Sequence, residues 1–300
     1  MAFELDFSTA EEIRKSLTEE QQKEIQQLYK RVSRRIGREA SKLPNTTSGA
    51  LRKMYLKDLQ KKINEELKNL RFDVYNTITK NMESMVDSVV LCNLRFLVEV
   101  HITVEGAFSH VAPDVINSII SGKLYSGDWS LSKSLWQHTL KSQKDINKII
   151  AEGILQNRGA YDIAKDLEKY VNPFARKSWE WAKVYPGTSL KVDYNAQRLA
   201  RTMVSHAYEQ SFVRTTQNNP FVTKYRWDAS NSSRVCELCA SRDGVLFDKN
   251  KLPLDHPNGM CTFIAVMPDS METIADRVAD WVQGNPDPEL DKYVKELKST

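Results

Sequence analysis

Between Gly49 and Gly106 the chain carries neither glycine nor proline. Nothing in that run frees the backbone or removes an amide donor, so most of it must be helix. Leu51, Met54, Tyr55, Leu59, Ile63, Leu67 and Leu70 form a stripe at helical spacing, and a second apolar run extends from Val86 to Val104. An unbroken helix from Ala50 to Glu105 would be on the order of 80 Å long at about 1.5 Å per residue. One or two breaks are therefore expected, near Arg71-Phe72-Asp73. The β-branched run from Val98 to Val104 fits a helix least well.

The segments on either side are also mostly helical. Ser8 with Glu11 and Thr9 with Glu12 make overlapping capping boxes for a helix to Lys42, weakened late by Gly37. A short helix begins at Ala112-Pro113-Asp114 and ends at Gly122. Two more run from Asp145 to Gln156 and from Ala160 to Val171, joined at Asn157-Arg158-Gly159 with Gly159 as the stop. Such a pair is either a packed helical hairpin, the commoner case, or a DNA-reading helix-turn-helix. Tyr185 to Ser189 reads as a loop, and Asn195 to Gln217 as a helix whose His206 is a hydrogen-bonded residue rather than a catalytic one. Phe221 to Asp228 alternates as a strand with Tyr225 and Trp227 on one face, and two charged or amphipathic helices follow Asp269.

The stretch from Cys236 to Cys261 holds three of the four cysteines, and His256 stands within it. Its pattern is Cys-x2-Cys, sixteen residues, then His-x4-Cys. Two close pairs of ligands on tight turns, separated by one hairpin of chain, suit a tetrahedral zinc. Arg242-Asp243-Gly244 supplies one turn and His256-Pro257-Asn258-Gly259 the other, with strands at Val245-Leu246-Phe247 and Thr262 to Val266. Cys236, Cys239, His256 and Cys261 would fill all four positions, which favours a structural ion over a catalytic one. A disulfide is not expected, because Met1-Ala2-Phe3-Glu4 opens no signal peptide. The bland reading is unrelated thiols beside a surface histidine.

The expected fold is therefore mainly α with a small α+β C-terminal part. Long N-terminal helices (residues 1–125, strongly basic over 1–71) precede a helical middle, a small zinc-braced antiparallel sheet and C-terminal helices. Residues 126–300 form the second domain, with the zinc-binding β element at 221–267 and a helical tail at 269–300. The formal net charge is +4, yet sixteen Lys or Arg face seven Asp or Glu between Ile13 and Arg71. That basic segment suits an acidic protein surface or a polyanion, although most charge runs are simply solvated faces. No apolar run reaches membrane-spanning length.

Phosphate loops, HExxH and nucleophile-elbow motifs are absent. A zinc-braced HNH-type nuclease resembles this chain in its CxxC and its Asp255-His256 step. It would need a free, positioned imidazole and a further histidine downstream, and none follows His256.

Three segments together resemble the phage minor head protein family typified by the F protein of phage Mu, the phage head morphogenesis proteins. One is Ile149 to Ile154 with Gly159 and Ala164-Lys165-Asp166-Leu167. Another is Ala200-Arg201-Thr202 followed by Tyr225-Arg226-Trp227-Asp228. The third, the most specific, is Arg234 to Cys239, Asp243-Gly244, Leu252-Pro253 and His256 to Cys261. Gly259 and Met260 stand where the family most often has cysteine and arginine. The resemblance implies a non-enzymatic minor capsid protein of a tailed phage, located in the virion at the head interior or portal vertex and in the host cytoplasm before assembly. It further implies a portal, capsid or scaffold partner and a part in head assembly and DNA packaging or ejection. Double-stranded DNA would meet the basic segment Arg14–Arg71.

Overall fold

The computed structural model describes residues 3–125, 127–175, 185, 192–229 and 235–298. The expected loop at Pro186–Ser189, and Arg234 of the resemblance, lie outside the described residues. The helices are α1 (Ser8–Ala40), α2 (Gly49–Glu99), α3 (Val111–Ser121), α4 (Leu131–Leu155), α5 (Ala160–Val171), α6 (Tyr194–Thr216), α7 (Glu237–Arg242), α8 (Met271–Val282) and α9 (Pro288–Lys298). The strands are β1 (Phe3–Glu4), β2 (Lys224–Asp228), β3 (Leu246–Asp248) and β4 (Thr262–Met267). The expected class, mainly helical with a small antiparallel sheet, is borne out. Among the described residues no helix is long and apolar enough to cross a membrane.

Several boundaries differ from those expected, each for a local reason. α2 is one helix of 51 residues with no break at Arg71-Phe72-Asp73. It ends where the β-branched run begins. His101 takes the left-handed conformation (φ 59°), Ile102 donates its N–H to Leu97 O at 2.8 Å, and His101 donates to Val98 O at 3.0 Å. These are the two bonds of a Schellman stop, with buried Leu97 and Ile102 as its apolar pair. The hairpin between α4 and α5 stops in the same way at Asn157 (φ 54°), not at Gly159. At α1 the first helical N–H, that of Ser8, is satisfied by Asp6 Oδ1 at 2.8 Å, and Glu11 N donates to Phe7 O rather than into a Ser8 box. α4 begins at Leu131 because Ser130 Oγ accepts from Lys133 N.

The chain divides into two compact units, and both draw on segments before and after residue 125. The unit of residues 1–18, 80–124 and 201–300 contains the sheet, whose strand order is β1-β4-β2-β3 and whose pairings are all antiparallel. Period-two alternation puts Tyr225 and Trp227 of β2 on one face with Phe263 and Ala265 of β4, all buried. Phe212 of α6 packs onto that face, its ring 5.2 Å from Tyr225 and 6.0 Å from Phe263, and Phe7 meets it edge-on at 4.8 Å. The sheet alone is too small to bury this surface, so the C-terminal part of α6 completes its core.

The unit of residues 19–79 and 125–200 is helical. Glycines set its closest approaches. A Cβ on Gly37 would meet Glu168 Cδ at 2.7 Å, so the glycine expected to weaken α1 lets α5 approach it. Arg158 pairs with the buried Asp166, which also accepts a hydrogen bond from the Tyr185 hydroxyl. The buried stripe of α2 here is Leu56, Leu59, Ile63, Leu67, Leu70 and Val74. Leu51 and Met54, expected in that stripe, are 48% and 54% exposed.

Candidate metal centre

Cys236 is the N-cap of α7, and Cys239 lies in that helix's first turn. Cys236 Sγ accepts from the Cys239 N–H at 3.4 Å. This bond holds the exposed Cys236 thiol below its ordinary range, while burial pushes the Cys239 thiol up. A six-residue helix, not only a turn, therefore presents the pair.

The second ligand pair comes from the loop at 255–261, just before β4. His256 Nδ1 donates to the Pro257 carbonyl at 3.1 Å, which fixes the tautomer and leaves Nε2 with its lone pair. Burial alone would lower the His256 pKa; the Pro257 carbonyl and the nearby Asp255 and Cys236 together raise it. Cys261 is buried at the start of β4.

The candidate ligand atoms gather in two overlapping triads, each with its atoms within 4.8 Å of one another. One is Cys236, Cys239 and His256; the other is Cys239, Asp255 and Cys261. Every residue expected from the sequence is thus in the cluster, with Cys239 common to both triads. Asp255 had figured only as a rejected nuclease step.

The Asp255 carboxylate is already engaged by the loop. Oδ1 accepts from His256 N at 2.8 Å and Oδ2 from Cys261 N at 3.3 Å, and the Cys239 thiol approaches Oδ1 at 3.8 Å. It also fills the space beside Gly259, where a Cβ would lie 2.1 Å from Oδ2. At the position where the resembling family most often has cysteine, a side chain would have to displace that carboxylate. These bonds make Asp255 the organiser of the loop, and beside it stand three thiols and one imidazole, a donor set typical of zinc.

One face of α6 holds that loop in place. Thr202 Oγ1 accepts from Asn258 N at 2.9 Å, and Ser205 Oγ donates to Gly259 O at 2.9 Å. His206 Nε2 donates to Asp255 O at 3.2 Å, and Glu209 Oε2 accepts from Asp255 N at 3.0 Å. Positions 202, 205, 206 and 209 follow the spacing of a single helix face. Burial lowers the His206 pKa and pushes Glu209 up to about 8. His206 is the hydrogen-bonded residue expected. The polar stripe it belongs to was a readable signal; its target was not.

Arg14 closes the other side. The residue is 1% exposed, and its guanidinium donates to Cys261 O at 2.8 Å and Met260 O at 3.1 Å and lies 4.4 Å from the Tyr208 ring centre. This corrects the reading of Arg14–Arg71 as one basic surface. Arg14 is inside, and so is Arg52, which donates to Arg158 O at 3.0 Å. Nothing in the sequence singled Arg14 out from its basic neighbours.

Residues 144–264 match the family model of phage Mu protein F like proteins. The match runs from within α4 to within β4, and it includes the α4–α5 hairpin, the polar face of α6 and all of Cys236, Cys239, His256 and Cys261. It bears out the resemblance to the phage head morphogenesis family over that segment. No curated protein and no solved structure matches the chain.

Proposed function

We propose that this chain is a structural minor head protein of a tailed phage, carried in the virion and associated with the portal during head assembly and DNA packaging or ejection. The observation that carries the reading is the match of residues 144–264 to the phage Mu protein F like family. In this reading Cys236, Cys239, His256 and Cys261 hold one zinc ion as a structural clasp. Such an ion would tie α7 to the loop before β4, and its binding would contribute directly to folding. A nuclease is the poorer reading, because the one imidazole in the cluster is a ligand whose other nitrogen already donates to Pro257.

The assembly role is tested by co-expressing the chain with the cognate portal protein and purifying the portal by tag. Co-purification in defined stoichiometry is expected. A portal that forms its ring and leaves this chain unbound, with capsids assembled and filled normally when the chain is deleted, would overturn the assignment.

A further inference from the structure

The outward side of α2 between Leu51 and Tyr75 carries an organised pattern. Ile63 is buried, while Lys61 and Glu65 lie about 160° around the helix from it, at about 100° per residue. Going outward along that side, Leu51 and Met54 mark one end, and Phe72 (65% exposed) and half-buried Tyr75 mark the other. Between these apolar ends lie Asp58, Lys61, Glu65 and Lys68, all exposed. The steps alternate three and four, which is the spacing of a coiled-coil seam. Two open depressions, of about 900 Å³ and 700 Å³, run along it, one from Met54 to Lys68 and one from Lys68 to Tyr75.

We propose that this face pairs with the same face of a second copy of the chain as an antiparallel two-stranded coiled coil centred on Ile63. The charge order selects this partner and this direction. With the centre at Ile63, Leu51 meets Tyr75 of the second copy, and Met54 meets Phe72. Asp58 meets Lys68, and Lys61 meets Glu65. Each apolar residue faces an apolar one and each charge faces its opposite, twice over by the two-fold axis. A parallel pair would set Asp58 on Asp58 and Lys61 on Lys61. An antiparallel pair slipped by one heptad in either direction would set Lys61 on Phe72 or Met54 on Glu65. Ionic layers in a seam fix register and orientation while lowering affinity. This inference does not depend on the head-protein reading.

The test is the molar mass of the full chain by sedimentation equilibrium at low salt, at about 50 μM, where a micromolar dimer is populated. The wild type is expected at twice 34.5 kDa. Phe72→Glu is expected to be monomeric with an unchanged circular dichroism spectrum, since the site is exposed. Lys61→Glu and Glu65→Lys should each weaken association by about tenfold through like-charge contacts. Mixing these two variants should restore it, because every contact between them is again opposite in sign. A monomeric wild type would overturn the proposal, including one that instead uses this face for another head protein. So would a dimer indifferent to all three changes, or reversals that mixing fails to rescue.

Discussion

Arg14 Nη1 donates to the carbonyl oxygen of Cys261 at 2.8 Å, across 247 positions of sequence. The first helix thereby fixes the backbone of the last candidate ligand. A second bond to Met260 O and the Tyr208 ring beneath the guanidinium leave little freedom on that side of the loop. Arg14→Met keeps much of the side-chain volume and removes both donors, one to a buried and one to a part-buried carbonyl. A loss of about 2–4 kcal/mol in urea unfolding is expected. A loss below about 0.5 kcal/mol would show that the brace is ornamental.

Gly259 faces the Asp255 carboxylate so closely that a side chain there would have to displace it. Gly259→Ala should displace Asp255 and with it the N–H groups of His256 and Cys261 that it holds. Overpacking of this kind destabilises by about 1–3 kcal/mol. Loss of a loop organiser should also weaken metal binding by about 10–100-fold, as competition with a chelator would read. Gly259→Ala binding metal like the wild type would contradict the role given to Asp255.

His101 ends α2 in a conformation that glycine adopts without strain. His101→Gly should therefore raise stability by up to about 1 kcal/mol. The same change at an in-helix position would lower it, so an increase at 101 reads the helix stop directly. Thermal melting against wild type is sufficient.

The helices were legible because their signals are local. The apolar period, Gly122 at the end of α3 and Ser270 at the start of α8 each report on their own neighbourhood. The Cys-x2-Cys and His-x4-Cys spacing was legible for the same reason. What escaped depends on distant partners. Gly37 reads as a weak point until Glu168 is seen against it, and Arg14 as one basic residue among sixteen until Cys261 is beside it. Leu51 and Met54 belong by period to the stripe of Leu59 and Ile63 only if α2 buries a wide face. It buries a narrower one. β1 is two residues long, too short for any periodicity, and pairs with β4 through Phe3 and Met267, far apart in sequence.

His138 supplies one part of the pH dependence. Its Nδ1 is buried with no hydrogen-bond partner among the described residues, and burial, followed by the charge of Lys141, lowers its pKa from 6.5. The folded state then binds the proton less readily than the unfolded chain. This contribution to stability is complete above 6.5 and is lost as the pH falls through the window beneath it. Between about pH 7.5 and about pH 5.5 the urea midpoint of wild type should fall relative to that of His138→Gln. An equal fall in both would assign the dependence to other groups.

The clasp itself is tested most directly by native mass spectrometry of the protein purified without added metal or chelator. The expected spectrum shows one zinc ion per chain, absent from Cys239→Ser, whose sulfur is common to both triads. That variant should unfold at the denaturant concentration at which chelator-treated wild type unfolds. A folded wild type without metal, or a Cys239→Ser chain that retains zinc and full stability, would contradict the account.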